Sequence, residues 1–371
     1  MIEVDLNTRI LPRDHEIFFA RPGSGYRLYA DFVAESAVFV DLPGLELVPG
    51  LPFSQQEFIN RKIHRARALR EWHRWGRDTP RPSADLRDYP SGVGDAGVAQ
   101  HRSALLGYFE RAKKGDLVLV SPAAYSFPAY IGEFVGEPSE IVSFRVPRFY
   151  ENDLLQGRQV RWLGTILKRF LSQTILDIVS KPNIFVTLPR SVRRDLYELV
   201  YNGFTFAGDF SIRFDVTAQD FTAYDDLLIQ QFVNYVAVNT LALSQDGDGV
   251  VRSLRDAVFR DAGAFTPELR AEVSSPGFLN LYSSQITPLV VAALFAIALT
   301  VGPTAFQAAQ NDMVRIGNSQ APADDACVAD VHRQALNQIR LSGAHGWAEA
   351  CEKAREAARR TGVQGPARVR Q

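Results

Sequence analysis

The chain has 371 residues, which is enough for two or three domains, and a formal net charge of −1. This near-balance excludes a bulk polycation, so any nucleic-acid site must be a local basic patch. The two cysteines, Cys327 and Cys351, are too few for a disulfide framework or a cysteine zinc site, which favours a reducing cytoplasm. Residues 1–16 lack a basic segment followed by an apolar core, so no secretory signal is predicted.

The first predicted elements are short. Residues 17–20 form a strand, residues 26–36 an amphipathic helix, and residues 37–42 a second strand. The glycine-rich turn RPGSG (residues 21–25) joins the first strand to the helix. A turn of this kind after a strand can bind phosphate. The full dinucleotide-binding pattern is missing, however, so a plain turn is the preferred interpretation.

A strongly basic helix is predicted over residues 53–75, and two tryptophans interrupt its arginines. One interpretation is a solvated helix whose charge is balanced by acids elsewhere in the chain. The other is a surface that contacts phosphates and stacks bases, extended by two arginines from the polar connection over residues 136–157. The candidate nucleic-acid contacts are Arg61, Lys62, Arg65, Arg67, Arg70, Trp72, Arg74, Trp75, Arg145 and Arg148.

A small curled sheet or barrel is predicted in the middle of this half. Residues 78–97 are rich in Pro, Gly, Ser and Asp, which indicates a flexible insertion, and residues 98–112 form an amphipathic helix. Three short β-rich runs follow, separated by turn residues, and Gly132 allows a bulge or a close backbone approach within the second. The runs cover residues 117–121, 129–135 and 158–163.

The order of these pieces resembles the N-terminal module of Mrr-like restriction-system proteins, a PUA-like barrel similar to EVE and YTH domains. The resemblance covers residues 16–180, a little under half of the chain, and three late motifs in the right order carry most of it. It implies a module that binds nucleic acid or a nucleotide-like ligand. The matching segments are FFARPGSG (18–25), FVAESAVFV (32–40), KGDLVLVSP (114–122), IGEFVG (131–136) and RQVRWLG (158–164).

The same resemblance implies a pocket with aromatic walls for a flipped or modified base. Where the family often has an isoleucine–glycine–tryptophan turn, this chain has Val38-Phe39-Val40-Asp41, so another aromatic would have to replace the tryptophan. Aromatic faces return the stacking energy that an extruded base loses. For Trp162 a core position is the alternative. The pocket candidates are Arg21, Phe39, Asp41, Ser121, Tyr130, Tyr150 and Trp162.

No catalytic or metal site is predicted in the second half. Its acids include Asp209, Asp215, Asp220, Asp225 and Asp226, but no acid-x-lysine strand follows them, which disfavours a magnesium nuclease. The acidic turn over residues 244–249 lacks the EF-hand pattern and is predicted to be a linker. The predicted elements here are helices over residues 166–179, 191–204 and 220–243, a strand over 182–188 and a β-like stretch over 204–214.

Residues 286–306 are uncharged and long enough to cross a bilayer as a helix. The sparse flanking charges give no orientation, so a membrane span and a buried core helix both remain open. Two further helices are predicted over residues 329–339 and 346–360, the latter with a small-residue face that suits helix packing within or between chains. Residues 362–371 are predicted to be a frayed tail.

The predicted fold class is α+β, with a PUA-like barrel followed by a mainly helical region. Three domains are expected: residues 1–180, 181–249 and 250–371. The first functional hypothesis is a cytoplasmic anti-phage or restriction-type sensor that binds nucleic acid, DNA in preference to RNA, and acts through a helical, membrane-inserting or self-assembling region. The second is a soluble subunit of a defence complex, and the third a degenerate restriction nuclease. No cofactor, metal or catalytic residue is predicted.

Overall fold

The computed structural model describes residues 1–50, 53–245, 249–272, 277–322 and 325–370. It divides into two compact units. Unit 1 combines Met1–Arg13 with Tyr201–Gln371, and unit 2 is Asp14–Val200. These boundaries differ from the predicted divisions after residues 180 and 249, because the first strands of the chain pair with strands from its second half.

The elements are named in chain order. The strands are β1 (Ile2–Asp5), β2 (Arg9–Leu11), β3 (Ile17–Ala20), β4 (Ala37–Phe39), β5 (Leu117–Val120), β6 (Pro128–Phe134), β7 (Val142–Phe144), β8 (Leu155–Leu167), β9 (Phe185–Thr187), β10 (Gly203–Phe206), β11 (Asp209–Val216), β12 (Glu268–Glu272), β13 (Gly277–Ser283), β14 (Val314–Gly317) and β15 (Arg368–Arg370). The helices are α1 (Tyr29–Ala34), α2 (Gln56–Trp75), α3 (Ala96–Leu106), α4 (Pro147–Tyr150), α5 (Gln173–Ser180), α6 (Arg193–Val200), α7 (Ala223–Ser244), α8 (Leu254–Ala257), α9 (Thr287–Thr300), α10 (Ala305–Gln310) and α11 (Ala326–Thr361).

Unit 2 is built on one curled sheet with the strand order β4-β8-β6-β5-β3-β9, and β7 also pairs with β8. The apolar runs IFFA and LVLV of β3 and β5 are buried along their whole length, as expected of central strands covered on both faces. The strands predicted at residues 17–20, 117–121, 129–135 and 158–163 are confirmed, to within a few residues at their ends.

Two glycines let the long strand β8 meet its neighbours. The register of β6 against β8 shifts between Ile131 and Gly132, and a side chain at Gly132 would lie 2.8 Å from the Trp162 ring. The predicted bulge at Gly132 is therefore confirmed. At Gly157 an added Cβ would overlap the Val38 carbonyl oxygen of β4. Only a glycine allows these two backbones to approach so closely.

The helices α2 and α3 contribute their apolar sides to the core of unit 2, with Ile59, Ile63, Leu69 and Leu105 fully buried. The arginine of the RQVRWLG motif, Arg158, is also buried. It donates hydrogen bonds to the carbonyls of Tyr108, Ala112 and Gly136, and so ties the end of the helical segment after α3 to the sheet. The segment predicted as a flexible insertion contains a 3₁₀ turn, Leu86–Asp88, whose carbonyls accept hydrogen bonds from Arg61.

Unit 1 contains two sheets, β12-β13-β11-β10-β2 and β14-β1-β15. In the second sheet β1 runs parallel to β14 and antiparallel to β15. The prediction of a frayed tail over residues 362–371 is therefore wrong for Arg368–Arg370, which pair with β1 through backbone hydrogen bonds. A local sequence pattern could not show this pairing, because the two strands are more than 360 residues apart.

The helices α7, α9 and α11 form the core of unit 1 with the apolar side of the sheet. The two helices predicted over residues 329–339 and 346–360 are confirmed: both lie within α11, and a kink at Gly343, with φ 73°, separates them. Its small residues Ala350, Cys351 and Ala354 are buried within this unit, so the predicted small-residue packing occurs inside the chain. The predicted helix over 166–179 is wrong at its start, since β8 continues to Leu167.

The apolar segment over residues 286–306 is not one straight helix. Residues Thr287–Thr300 form α9, whose 14 residues span about 21 Å, less than the roughly 30 Å of a bilayer core. The chain then bends by 116° into the segment Gly302–Gln310. Most of α9 is buried against α7 and α11. Among the described residues, α7 is long and apolar enough to cross a membrane, although 56% of its apolar window is buried. The bent pair of α9 and Gly302–Gln310 meets the same criterion only if the two segments form one broken span.

Candidate ligand-binding cavity

A cavity of about 270 Å³ opens where the turn after β3 meets α2 and α3 in unit 2. Three consecutive loop residues, 23–25, supply backbone to one wall. Pro182 and Ile184, which precede β9, supply an apolar wall. The polar lining comes from Arg21 on the turn after β3, Asp41 just after β4, Arg70 on α2, and Gln100 and His101 on α3.

Asp41 is the best-connected polar group of this cavity. The residue is 6% exposed, and its carboxylate accepts hydrogen bonds from the Arg27 guanidinium at 2.9 Å, the Tyr150 hydroxyl and the Ser24 backbone N–H at 3.2 Å. Burial alone would raise the pKa of this carboxyl, but Arg27 and Tyr150 together hold it below its ordinary value. Asp41 is therefore an ionised acceptor at neutral pH, fixed in place by its neighbours.

The glycine-rich turn serves this carboxylate. Gly23 and Gly25 have φ angles of 72° and 66°, which favour glycine, and a side chain at Gly23 would lie 3.1 Å from the Asp41 carboxylate. The Ser24 N–H between them points at Asp41. This amide is thus occupied by an internal carboxylate, which agrees with the preferred interpretation of the sequence as a plain turn rather than a phosphate loop.

Arg70 and His101 are coupled by a hydrogen bond. The Arg70 Nη1 group lies 3.3 Å from His101 Nε2 and 3.3 Å from the Asp41 carbonyl oxygen. On its other side, His101 Nδ1 lies 2.5 Å from the Gly97 carbonyl, which fixes the tautomer with its proton on Nδ1. Burial lowers the pKa of His101 to about 4, with Arg70 adding to the effect. His101 is therefore neutral at physiological pH.

Arg21 holds the apolar wall in position. Its guanidinium donates to the carbonyls of Asn183 at 3.0 Å and Val179 at 3.1 Å, and also to that of Lys181. The Val179 carbonyl lies in the last turn of α5 and the other two follow that helix, where intrahelical partners run out. Arg21 thus links the turn after β3 to the segment that carries Pro182 and Ile184.

Only part of the predicted pocket comes together here. Arg21 and Asp41 line the cavity, and Tyr150 contacts Asp41. Phe39 is a core residue packed on Phe32 and Phe144. Ser121 is also buried, away from the lining. The remaining candidates form a separate aromatic group, in which Tyr130 lies 5.4 Å from Trp162 and 6.1 Å from Tyr29.

The basic residues of α2 mostly have partners within unit 2. Arg61 and Lys62 donate to backbone carbonyls, Arg65 donates to the Gly44 carbonyl at 2.9 Å, and Arg67 pairs with Asp95 at 2.8 Å. These contacts join α2 to the loops around it, which is a structural role. The prediction that this helix also contacts phosphates stays a prediction.

Of the other candidate nucleic-acid contacts, some have partners within unit 2 and some are exposed. Arg74 lies 3.8 Å from Glu71 and Arg148 pairs with Asp31 at 2.6 Å, whereas Trp75 is 83% exposed. The indole of Trp72 donates to the Thr79 carbonyl. A further set of cations in unit 2 is exposed and, among the described residues, lacks an acidic partner: Lys114, Arg145, Arg169, Lys181 and Arg190.

Sequence reasoning missed Arg27, Gln100, His101 and Ile184. No local signal identifies them as neighbours, because three separate segments bring them to the cavity. In the described residues no group of three or more His, Cys, Asp or Glu side chains could hold a metal ion. The predicted linker over residues 244–249 lies partly outside the described residues. Burial raises the pKa of Cys351 to about 12, so this thiol is unreactive.

The chain was compared with protein-family models, with curated proteins and with solved structures, and none of them matches it.

Proposed function

We propose that unit 2 is a non-catalytic binding module that takes one nucleobase, from a nucleic acid or a nucleotide, into the cavity beside Asp41. The observation that carries this proposal is the polar set at the cavity wall. It combines a fixed carboxylate acceptor, a neutral histidine and a guanidinium donor on Arg70. A base edge presents donors and acceptors in one plane; to pair with them, Asp41 and His101 would exchange contacts that they now make to Ser24 and Arg70.

The size and shape of the cavity support the same ligand class. Pockets for small molecules run from about 300 to 1,000 Å³, so a volume of about 270 Å³ suits one small planar ring and excludes a duplex. Pro182 and Ile184 offer an apolar wall against which the face of a ring can pack. A base held here would have to leave its stack, which is easiest in single-stranded or damaged nucleic acid.

The wider role that we propose is that of a nucleic-acid sensor in a bacterial anti-phage or restriction system, with DNA preferred over RNA. The resemblance of residues 16–180 to the PUA-like module of restriction-system proteins supports it. The exposed cations of unit 2 that have no acidic partner in the described part of the chain suit a phosphate backbone. In this role unit 1 would pass on the signal by assembling with further copies or with a partner protein.

A second candidate is a soluble, non-catalytic subunit of a defence complex. The burial of α9 favours it, because a helix that contributes its sides to a hydrophobic core does not need a bilayer. In this case unit 2 would bind a protein instead of a nucleic acid.

Binding of the full chain to labelled single-stranded and double-stranded DNA and RNA, modified and unmodified, separates the two candidates. The matched variants are Gln100→Trp, which fills the mouth of the cavity, and Ser103→Trp on the same helix outside it. We expect Gln100→Trp to weaken binding at least about tenfold and Ser103→Trp to leave it unchanged. Absence of binding by the wild-type chain to every nucleic acid and mononucleotide would refute the proposal.

A further inference from the structure

Three large aromatic side chains of unit 2 project into solvent close together along the backbone. Tyr125 and Phe127 are each 57% exposed, and Phe170 is 64% exposed. Two backbone hydrogen bonds join their segments: Lys168 N–H donates to the Phe127 carbonyl at 3.1 Å, and Arg169 N–H donates to the Tyr125 carbonyl at 3.3 Å. The two segments therefore lie side by side, and their three exposed aromatic residues are called here the aromatic platform (Tyr125, Phe127, Phe170).

A continuous series of cation–π contacts connects this platform to the cavity. The Lys168 ammonium lies 4.9 Å from the Tyr125 ring and 5.4 Å from the Tyr26 ring. The Arg21 guanidinium, which lines the cavity, lies 4.7 Å from the same Tyr26 ring. Alternating aromatic and cationic groups thus run from the cavity to the platform without a gap.

The series is also anchored internally. The Lys168 ammonium is buried and donates to the carbonyls of Pro122 at 2.8 Å and Ala123 at 3.0 Å, which fixes the loop that carries Tyr125 and Phe127. The Tyr26 hydroxyl donates to the Val179 carbonyl at 2.9 Å, next to the bond from Arg21. The aromatic platform and the cavity wall are therefore held by the same small set of side chains.

The charge around the platform selects an anionic partner. Arg169 lies with its guanidinium 4.9 Å from the Phe170 ring, and Lys181 follows α5 beside the Arg21 contact. Both side chains are exposed, and neither has an acidic partner among the residues that the structure describes. Exposed aromatics beside unpaired cations are the combination that binds single-stranded nucleic acid, in which bases stack and phosphates meet positive charge.

We infer that the aromatic platform stacks the bases that flank the one held in the cavity, so that the ligand is a single-stranded nucleic acid rather than a free nucleotide. This inference rests on the proposed function of the cavity. It adds a second subsite to the cavity. It also gives the bound strand a path, from the cavity along Tyr26 and Lys168 to Tyr125.

The test compares the full chain with its Phe127→Leu and Phe170→Leu variants, because leucine keeps an apolar side chain and removes the aromatic face. The probes are the labelled single-stranded oligonucleotide that binds most tightly and its constituent mononucleotides, measured by fluorescence anisotropy and by calorimetry. Each variant should bind the oligonucleotide about 5- to 100-fold more weakly and the mononucleotide unchanged. The Phe170→Trp variant keeps an aromatic face and should bind the oligonucleotide as tightly as the wild-type chain does. The matched control is Phe259→Leu in unit 1, where Phe259 is 94% exposed.

The outcomes separate the two ideas. If the wild-type chain binds mononucleotides as tightly as the oligonucleotide, or if both leucine variants bind the oligonucleotide normally, the platform inference is overturned while the cavity proposal stands. If the leucine variants change only self-association in sedimentation, the platform is a protein interface and the inference again fails. If the wild-type chain binds neither probe, both ideas fail. Oligonucleotide binding that falls in both leucine variants and not in Phe259→Leu supports the platform.

Discussion

Replacing Asp41 by asparagine should destabilise unit 2 strongly at neutral pH. The carboxylate makes an ion pair with Arg27 at 2.9 Å, accepts from the Tyr150 hydroxyl and accepts from the Ser24 N–H. Asparagine keeps one acceptor oxygen but loses the charge and places an amide donor among donors. Hydrogen bonds to charged groups contribute about 1.5–3 kcal/mol each, so we expect a loss of about 3 kcal/mol in the free energy of unfolding.

Urea unfolding followed by tryptophan fluorescence measures this loss, since Trp72, Trp75 and Trp162 belong to unit 2. In a thermal scan, about 3 kcal/mol corresponds to a drop of about 6–12 °C in Tm for a unit of this size. The control is Asp31→Asn, which removes a more exposed partner of Arg148 and should cost at most about 1 kcal/mol.

The pH dependence of the unfolding free energy tests whether the charge of Asp41 causes this loss. Because the pKa of Asp41 is lowered by folding, its contribution is fully present above the ordinary value of 3.8 and is lost as pH falls through the folded-state pKa. The difference in unfolding free energy between wild type and Asp41→Asn should therefore shrink below about pH 4. A difference under about 1 kcal/mol at pH 7, or one that does not change on acidification, would refute this description of the site.

Three further predictions follow from the packing. Gly157→Ala should destabilise unit 2 by about 1–3 kcal/mol, measured by urea unfolding, because its Cβ overlaps the Val38 carbonyl, whereas Gly92→Ala, with open space around it, should be neutral. Gly346→Ala should destabilise unit 1 by a similar amount despite its better helix propensity, since its Cβ overlaps the Arg252 carbonyl; equal or higher stability would contradict the packing. Because α9 and much of α7 are buried, the chain should stay in the supernatant after ultracentrifugation without detergent, and recovery in the membrane pellet would contradict the burial of these helices in the core of unit 1.

Local patterns were sufficient for the strands of unit 2. The runs IFFA and LVLV and the glycine at 132 signal their conformations within a few residues, and the structure places strands and a bulge there. The helices α2 and α7 also followed from periodicity and length. In these elements burial and backbone propensity agree, so the sequence alone determines the outcome.

The roles of the arginines could not be predicted in the same way. Arg67 pairs with Asp95 and Arg65 with the Gly44 carbonyl, partners that are 28 and 21 residues away. The sequence pattern of a strongly basic helix is the same whether its charges face solvent, phosphates or distant carbonyls. The cavity is equally non-local, since its polar side chains come from the segment after β4 (Asp41), from α2 (Arg70) and from α3 (Gln100 and His101). For α9, an uncharged apolar run satisfies the needs of a core and of a bilayer alike.

The pairing of β1 with β14 and β15 sets an order of events during protein synthesis. Unit 2 can fold once Val200 has left the ribosome, whereas Ile2–Asp5 must wait for Val314–Gly317. At 5–20 residues per second that wait lasts about 15–60 s. During that time Ile2–Asp5 is an unpaired strand, open to a chaperone or to wrong pairing with another chain. A molecule that bound Ile2–Asp5 before Val314–Gly317 was synthesised would prevent the folding of unit 1 and leave the folding of unit 2 unaffected.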